Sequence, residues 1–196
     1  MTIKAQLDQI LEKWDLLKHP FYRAWSAGTL PMEALRLYAQ EYGAFNNPLP
    51  RGWESVDDAS TAREEREHAT VWDDFTAAIG GVGGEPSLIQ TEKLARDAAQ
   101  LFATPVSALG ALYAFEAQQP ATAASKLEGL KAHYQVPEAA AKYFELHSTN
   151  GQESAKILAQ IQGLPPALQE QALLACEQMA ESLWTALTGI YKTCSD

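Results

Sequence analysis

The sequence predicts an all-α protein, with about seven or eight helices packed as a compact bundle. Three observations carry that expectation. Apolar residues recur three and four positions apart, the spacing of one helix face. Prolines sit near the starts of the apolar-periodic segments, and Gly28 and a GGVGG run mark ends. No stretch alternates polar and apolar strictly, as an exposed strand would, and no internal repeat stands out.

The elements follow in order. Leu7, Ile10, Leu11, Trp14 and Leu17 give residues 3–17 an amphipathic face. His19-Pro20 breaks that helix, and residues 20–27 start a short second one with proline at its first position. Pro31 opens a third, with Leu35, Tyr38, Tyr42 and Phe45 on one face. Asn46, Asn47, Pro48 and Pro50 stop it, and NNPLPRGWESVDD then reads as a loop. A helix runs from about Asp57 to Ile79 and ends at the flexible GGVGG. Residues 87–102 form the next helix, with Leu88, Leu94, Ala98 and Leu101 inward. Thr104-Pro105 starts another, which Pro120 kinks or divides. Residues 137–162 and 165–193 are the last two.

At 196 residues, one domain spanning 1–196 is the natural organisation, with enough chain for a sizeable core. The composition, 46% hydrophobic and 20% charged, is that of an ordinary globular protein. A net charge of −10 argues against nucleic acid or an anionic membrane as partner. No apolar run reaches the length of a membrane span. MTIKAQLDQILEKW lacks the apolar centre of a signal peptide. Cys176 and Cys194 have no metal-ligand spacing and are too few for a disulfide framework, which fits a reducing cytoplasm.

Three stretches carry chemistry. The first is TAREEREHATVWDDF at residues 61–75, where either Glu64 or Glu65 shares a helix face with His68. A carboxylate and an imidazole aimed at one point suit a first-row metal, although an isolated pair of this kind also fits a solvated charged face. The second is Glu116, set among Leu112, Tyr113, Phe115 and Ala117. Burial of its carboxylate costs several kcal/mol unless a proton, a cation or a metal accompanies it. The third is His147 in YFELHSTNGQES, behind two aromatic residues. Together they give a Glu/His, a Glu and a His on three helices, the layout by which bundles build metal centres.

HPFYRAWSAGTL, QEY, H-x3-W-x2-F, Y-x-FE-x2-QP and AKYFELH resemble the CADD-like branch of the TenA/PqqC superfamily. The resemblance runs from about Leu16 into the last helix. It implies a heme-oxygenase-like fold, a homodimer and a non-heme two-metal site that activates O2. CADD-like proteins form p-aminobenzoate from their own tyrosine with a lysine as amine donor, and UndA-like relatives decarboxylate fatty acids.

Carried over, His68 matches the first family histidine and Glu65 the glutamate at ExxH spacing, with Glu64 as alternate; Thr61 stands where CADD itself has its glutamate. Glu116 matches the bridging carboxylate and His147 the first residue of a His-x3-Asp-x2-His motif. Gly151 and Ser154 occupy the Asp and second His positions of that motif and supply no good ligand. Glu153, next to Ser154, would need a helix shift to substitute. Tyr22 matches the consumed tyrosine and Lys126 the lysine, while Phe115 replaces a family tyrosine.

The expected metal ligands are therefore Glu65, His68, Glu116 and His147, with Tyr22 and Lys126 as catalytic groups. The expected cofactor is iron or manganese, one per chain or at most two. The expected partners are a small-molecule substrate and O2. The alternative is a non-catalytic or non-oxidative TenA/PqqC-type protein that binds a small molecule or protein in the same pocket.

Overall fold

Most helices begin where the sequence offers a cap or a proline. The computed structural model describes residues 1–149 and 151–195. The Thr2 hydroxyl accepts from the Ala5 amide and opens α1, Ile3–Lys13. Asp15 caps a 3-10 turn at Leu16–Lys18. The His19 imidazole accepts from the Phe21 amide, and Pro20 fills the first position of α2, Pro20–Ser26. Then come α3 (Met32–Asn46), α4 (Leu49–Ser55) and α5 (Ala59–Ala78), the last capped by Asp58. Next are α6 (Ile89–Leu101), α7 (Pro105–Glu116) and α8 (Gln119–His133). A 3-10 turn at Glu138–Ala141 leads into α9 (Lys142–Ser148), followed by α10 (Gln152–Gln162) and α11 (Pro166–Ser195).

Among the described residues there is no strand, and eight of the helices are eleven residues or longer. The all-α expectation therefore holds. Two expected elements differ. NNPLPRGWESVDD holds α4 rather than a loop. Pro48 precedes it and Pro50 lies in its first turn, where a missing N–H costs nothing. The expected helix at 137–162 is two helices, one ending at Ser148 and the next starting at Gln152. Pro120 divides α7 from α8, one of the two outcomes expected of it.

The α11 helix runs through the middle, against α1, α3, α6 and α7. Its buried stripe includes Ala172, Cys176, Met179, Leu183, Leu187 and Ile190. Gly110 lets α7 approach it closely, since a β-carbon there would lie 2.0 Å from the Ala172 carbonyl oxygen. Around α2, α3 and α9 the core is aromatic: Phe21 stacks on Tyr38, and Trp25 and Trp72 each meet Phe144 edge to face. Among the described residues, no helix is long and apolar enough to cross a membrane.

The Gly110 contact sets a stability prediction. Gly110→Ala forces α7 away from α11, and the thermal midpoint should fall by roughly 3–10 °C, from about 1–3 kcal/mol of overpacking. An unchanged midpoint would mean that the two helices separate without cost.

Candidate metal centre

Capping fixes where α5 starts, and the start fixes which side chains face inward. Asp58 accepts from the Thr61 amide and hydroxyl. From that register Glu65 is buried, at 7% exposure, while Glu64 is exposed and bonded to Ser60. Of the two glutamates, Glu65 is the one that faces the interior. Thr61 is buried but spent on Asp58. One turn beyond His68, the Trp72 indole donates to the Ala39 carbonyl at 2.9 Å and ties α5 to α3.

His147 arrives from α9. Its Nδ1 donates to the Tyr143 carbonyl at 2.7 Å, one turn back, and its Nε2 lies 3.2 Å from His68 Nδ1. A backbone carbonyl holding one ring nitrogen leaves the other with its lone pair free, the arrangement that prepares a histidine for a metal. Glu65 Oε1 is 3.4 Å from His68 Nδ1. Ligand atoms of Glu65, His68 and His147 all lie within 4.8 Å of one another. Burial pulls His147 down to about 4, helped by His68 and Lys126 against the Tyr143 carbonyl, so it is neutral at physiological pH. Burial also pulls His68 down, but the Glu65 carboxylate, then Glu64 and Glu67, outweigh it and hold the ring above its usual value.

Glu116, the last residue of α7, is 4% exposed. Burial raises its carboxyl well above the usual range, and the charges of Glu65 and then Glu153 push the same way. The Trp53 indole opposes that rise but closes no proper hydrogen bond, and Glu116 Oε1 has no partner among the described residues. Glu41 gives the contrast. It is just as buried, but it accepts from the Ser87 and Leu88 amides and from the Ser87 and Thr91 hydroxyls. Those donors overcome the cost of burial and bring it below the ordinary value. A carboxylate used to tie elements together is saturated in this protein; Glu116 is not.

Two imidazoles and a carboxylate on one point, beside a buried carboxylate lacking a donor, form a set that fits iron or manganese. The structure brings the His68 and His147 rings 4.6 Å apart, edge to face, with Glu65 beside His68. Gly151 and Ser154 were expected four and seven residues along the His147 face. The end of α9 at Ser148 removes them from it: Gly151 is exposed, with nothing near its would-be β-carbon, and the Ser154 hydroxyl turns back to the Gly151 carbonyl.

Tyr22 and Lys126 meet in the core. Lys126 is 6% exposed, with Nζ 3.1 Å from the Tyr38 hydroxyl and 3.5 Å from that of Tyr22. The two phenols are 3.4 Å apart. Burial lowers the Lys126 amine to about 7. It raises both phenols well above their ordinary value, so both stay protonated. Lys126, Tyr38, Tyr42, Trp72, Phe115 and Tyr143 line a cavity of about 10 Å³, enough for roughly one water. Tyr143 also lies against His147, with ring centroids 4.2 Å apart, and so joins this cavity to the histidines. Sequence reasoning missed Tyr38 and Tyr143. Only the position of Tyr143 one helical turn before His147 hinted at a role.

Comparison with known proteins places these residues in context. The family described as iron-containing redox enzymes matches residues 54–184. A 4-aminobenzoate synthase from Nitrosomonas europaea is 31% identical, covering 97% of this chain and 92% of its own length. That of Chlamydia pneumoniae is 27% identical over 93% of this chain and 92% of its own. Among solved structures, a TenA homologue from P. horikoshii superposes with a TM-score of 0.80 at 13% identity, over 98% of this chain and 99% of that one. A CADD-like protein from Nostoc punctiforme gives 0.69 at 18%, over 98% of this chain and 94% of that one. These two superpositions share the heme-oxygenase-like helical fold.

Lys126 gives a pH prediction. Its folded value near 7 lies below the ordinary 10.5, so the unfolded chain binds the extra proton between those limits. Wild-type stability therefore gains from Lys126 as pH rises through that window. Lys126→Met should melt higher than wild type at pH 7, and the gap should close by about 2–3 kcal/mol, roughly 5–10 °C, by pH 9. A gap that does not change with pH would mean that Lys126 carries its charge in the folded state.

Proposed function

The chain belongs to the iron-containing redox enzyme family, and we propose that it forms 4-aminobenzoate, using the metal centre to oxidise its own Tyr22. The observation that carries this reading is the Lys126 amine, buried between the Tyr22 and Tyr38 hydroxyls beside the histidine pair. The non-catalytic alternative explains neither a buried amine nor a carboxylate left without a donor.

Glu65, His68, His147 and Glu116 would hold iron or manganese. A metal bound there, with O2 as the oxidant, supplies the oxidising equivalents. The remaining roles belong to the chain. The Tyr143 carbonyl keeps the Nδ1 proton of His147 in place, so that Nε2 faces the site. The walls around Lys126 exclude water, and that exclusion is what brings its amine to about 7. About half of the molecules then carry a free lone pair at neutral pH, as a nitrogen donor requires. The Tyr38 hydroxyl holds that nitrogen beside Tyr22.

Cavity size argues for an internal substrate. A space for roughly one water beside Lys126 admits no acyl chain of the kind that UndA-like relatives take. Tyr22 already occupies the place of a substrate ring. On the strength of the resemblance we also take the chain to be a cytoplasmic homodimer.

Two outcomes check this reading. Iron-loaded protein given O2 and a reductant should release 4-aminobenzoate, in no more than a single equivalent per chain because Tyr22 is consumed. Tyr22→Phe and Lys126→Met should release none while still binding metal. Release from Tyr22→Phe at the wild-type level would overturn the assignment of the substrate. His68→Ala should weaken metal binding by roughly ten- to hundredfold or more, read by elemental analysis after desalting. Unchanged metal content would remove His68 from the ligand set.

A further inference from the structure

The glycine run after α5 is held against α3 at both ends. At its start, Arg36 Nε donates to the Ile79 carbonyl at 2.9 Å. At its end, the Glu41 carboxylate accepts from the Ser87 and Leu88 amides. Between those anchors the run passes over α3, where a β-carbon on Gly84 would come 3.9 Å from Gln40 Nε2. Under it lies a cleft of about 100 Å³, bounded by Gly43 and Asn46 of α3, Trp72 and Asp73 of α5, and Gly83 and Gly84 of the run. Gly43 lets α3 and α5 close up behind the cleft, since a β-carbon there would run into the Trp72 indole nitrogen.

Asn46, the last residue of α3, is 8% exposed and lines this cleft. Both polar atoms of its side-chain amide are buried, and among the described residues neither has a hydrogen-bond partner. An asparagine at a helix end ordinarily hydrogen-bonds to nearby backbone, and this one does not. Leaving a buried donor and a buried acceptor both unmet is costly, and native structures seldom hold such a group without a reason. Gln118 gives the contrast. It is about as buried, yet its Oε1 accepts from the Leu16 amide and its Nε2 donates to the Ala114 carbonyl.

We propose that this cleft binds a small uncharged ring bearing a carboxamide or lactam, whose adjacent donor and acceptor pair with the Asn46 amide. An amide edge is the complement of an amide edge: the ligand carbonyl accepts from Nδ2 and the ligand N–H donates to Oδ1. The broad χ2 well of an asparagine lets the side chain turn that edge toward the ligand. A space of about 100 Å³ falls well short of the roughly 300–1,000 Å³ that drug-sized ligands fill, so it suits a single ring. The charged residue on its lining is Asp73, which disfavours an anion. Trp72 borders this cleft and also the cavity beside Lys126, so an occupant sits one side chain away from that cavity. The inference does not depend on the reading of the metal centre.

Nuclear magnetic resonance of the full chain with three matched probes tests the inference. Benzamide carries the amide edge, acetophenone keeps the carbonyl without the donor, and benzoate replaces the edge with an anion. Benzamide should shift the Asn46 side-chain amide and the Trp72 indole signals saturably, with a dissociation constant of about 1–10 mM for one ring. Acetophenone and benzoate should bind at least roughly tenfold more weakly, because each leaves a buried polar group of Asn46 unmet. Asn46→Leu keeps the volume and orphans no partner, so it should fold and lose the benzamide shift at Trp72. If Asn46→Leu does not fold, Asn46→Asp decides by the same readout, since a carboxylate offers no N–H to the ligand carbonyl. Equal affinity for all three probes would overturn the recognition of an amide. Wild-type affinity for benzamide in either folded variant would overturn the role of Asn46. No shift at Asn46 or Trp72 with about 30 mM benzamide would overturn the site and leave the cleft to water.

Discussion

Removing the Glu116 carboxylate from water is the constraint on which the rest of this structure depends. It lies at the end of α7, against α4 and α10, with one oxygen that meets no donor. An isolated buried carboxylate is costly enough that it takes up a proton or draws in a cation. Glu41 shows that the fold can satisfy a buried carboxylate fully when the role is structural, since amides and hydroxyls from Ser87, Leu88 and Thr91 surround it. The difference between the two glutamates is one of supply. At Glu116 the charges that bear on the carboxyl are themselves acidic, Glu65 and Glu153, and they add to the cost of its burial.

The helices around this point each contribute a constraint. The Asp58 cap sets the register of α5 and thereby buries Glu65 and not Glu64. The carbonyl of Tyr143 sets the tautomer of His147. Gly110 lets α7 lie close to α11. On the far side of Tyr143, the same dry interior that makes Glu116 costly lowers the Lys126 amine to about 7. One physical cause, exclusion of water, thus acts on an acid and a base to opposite effect. It leaves the acid in need of a proton or a cation and gives the base a usable lone pair.

Much of this was legible in the sequence. The helical period, Pro20, Pro31, Pro105 and the GGVGG run delimit most helices correctly, because local chemistry sets those ends. Glu65, His68 and His147 were named from spacing and resemblance, and the structure gathers all three. Two features escaped, for different reasons. Prolines at 48 and 50 suggested a loop, but a helix tolerates proline in its first turn, and Trp53 buries there to hold α4 in place. The apolar period through 137–162 suggested one helix, although α9 ends at Ser148, where the sequence Ser-Thr-Asn-Gly has low helix preference. That missed break decides that Glu153 and not Ser154 is buried, since the face of a residue depends on an unbroken register. Tyr38 was legible only as a core aromatic, because its bond to Lys126 spans 88 residues and no local pattern encodes it.

The central claim is that these buried carboxylates and histidines are held for a metal. Its most direct test is the thermal midpoint of metal-free protein as free Fe(II) or Mn(II) is raised, with Mg(II) as the control. Binding to the folded state alone stabilises by about 2.7 kcal/mol at a hundredfold excess over the dissociation constant, so the midpoint should climb by roughly 5–10 °C and keep rising with concentration. Mg(II), which sheds its water reluctantly and has little affinity for imidazole, should do far less. A midpoint indifferent to all three ions would contradict the claim and leave Glu116 as a carboxyl kept neutral by a proton.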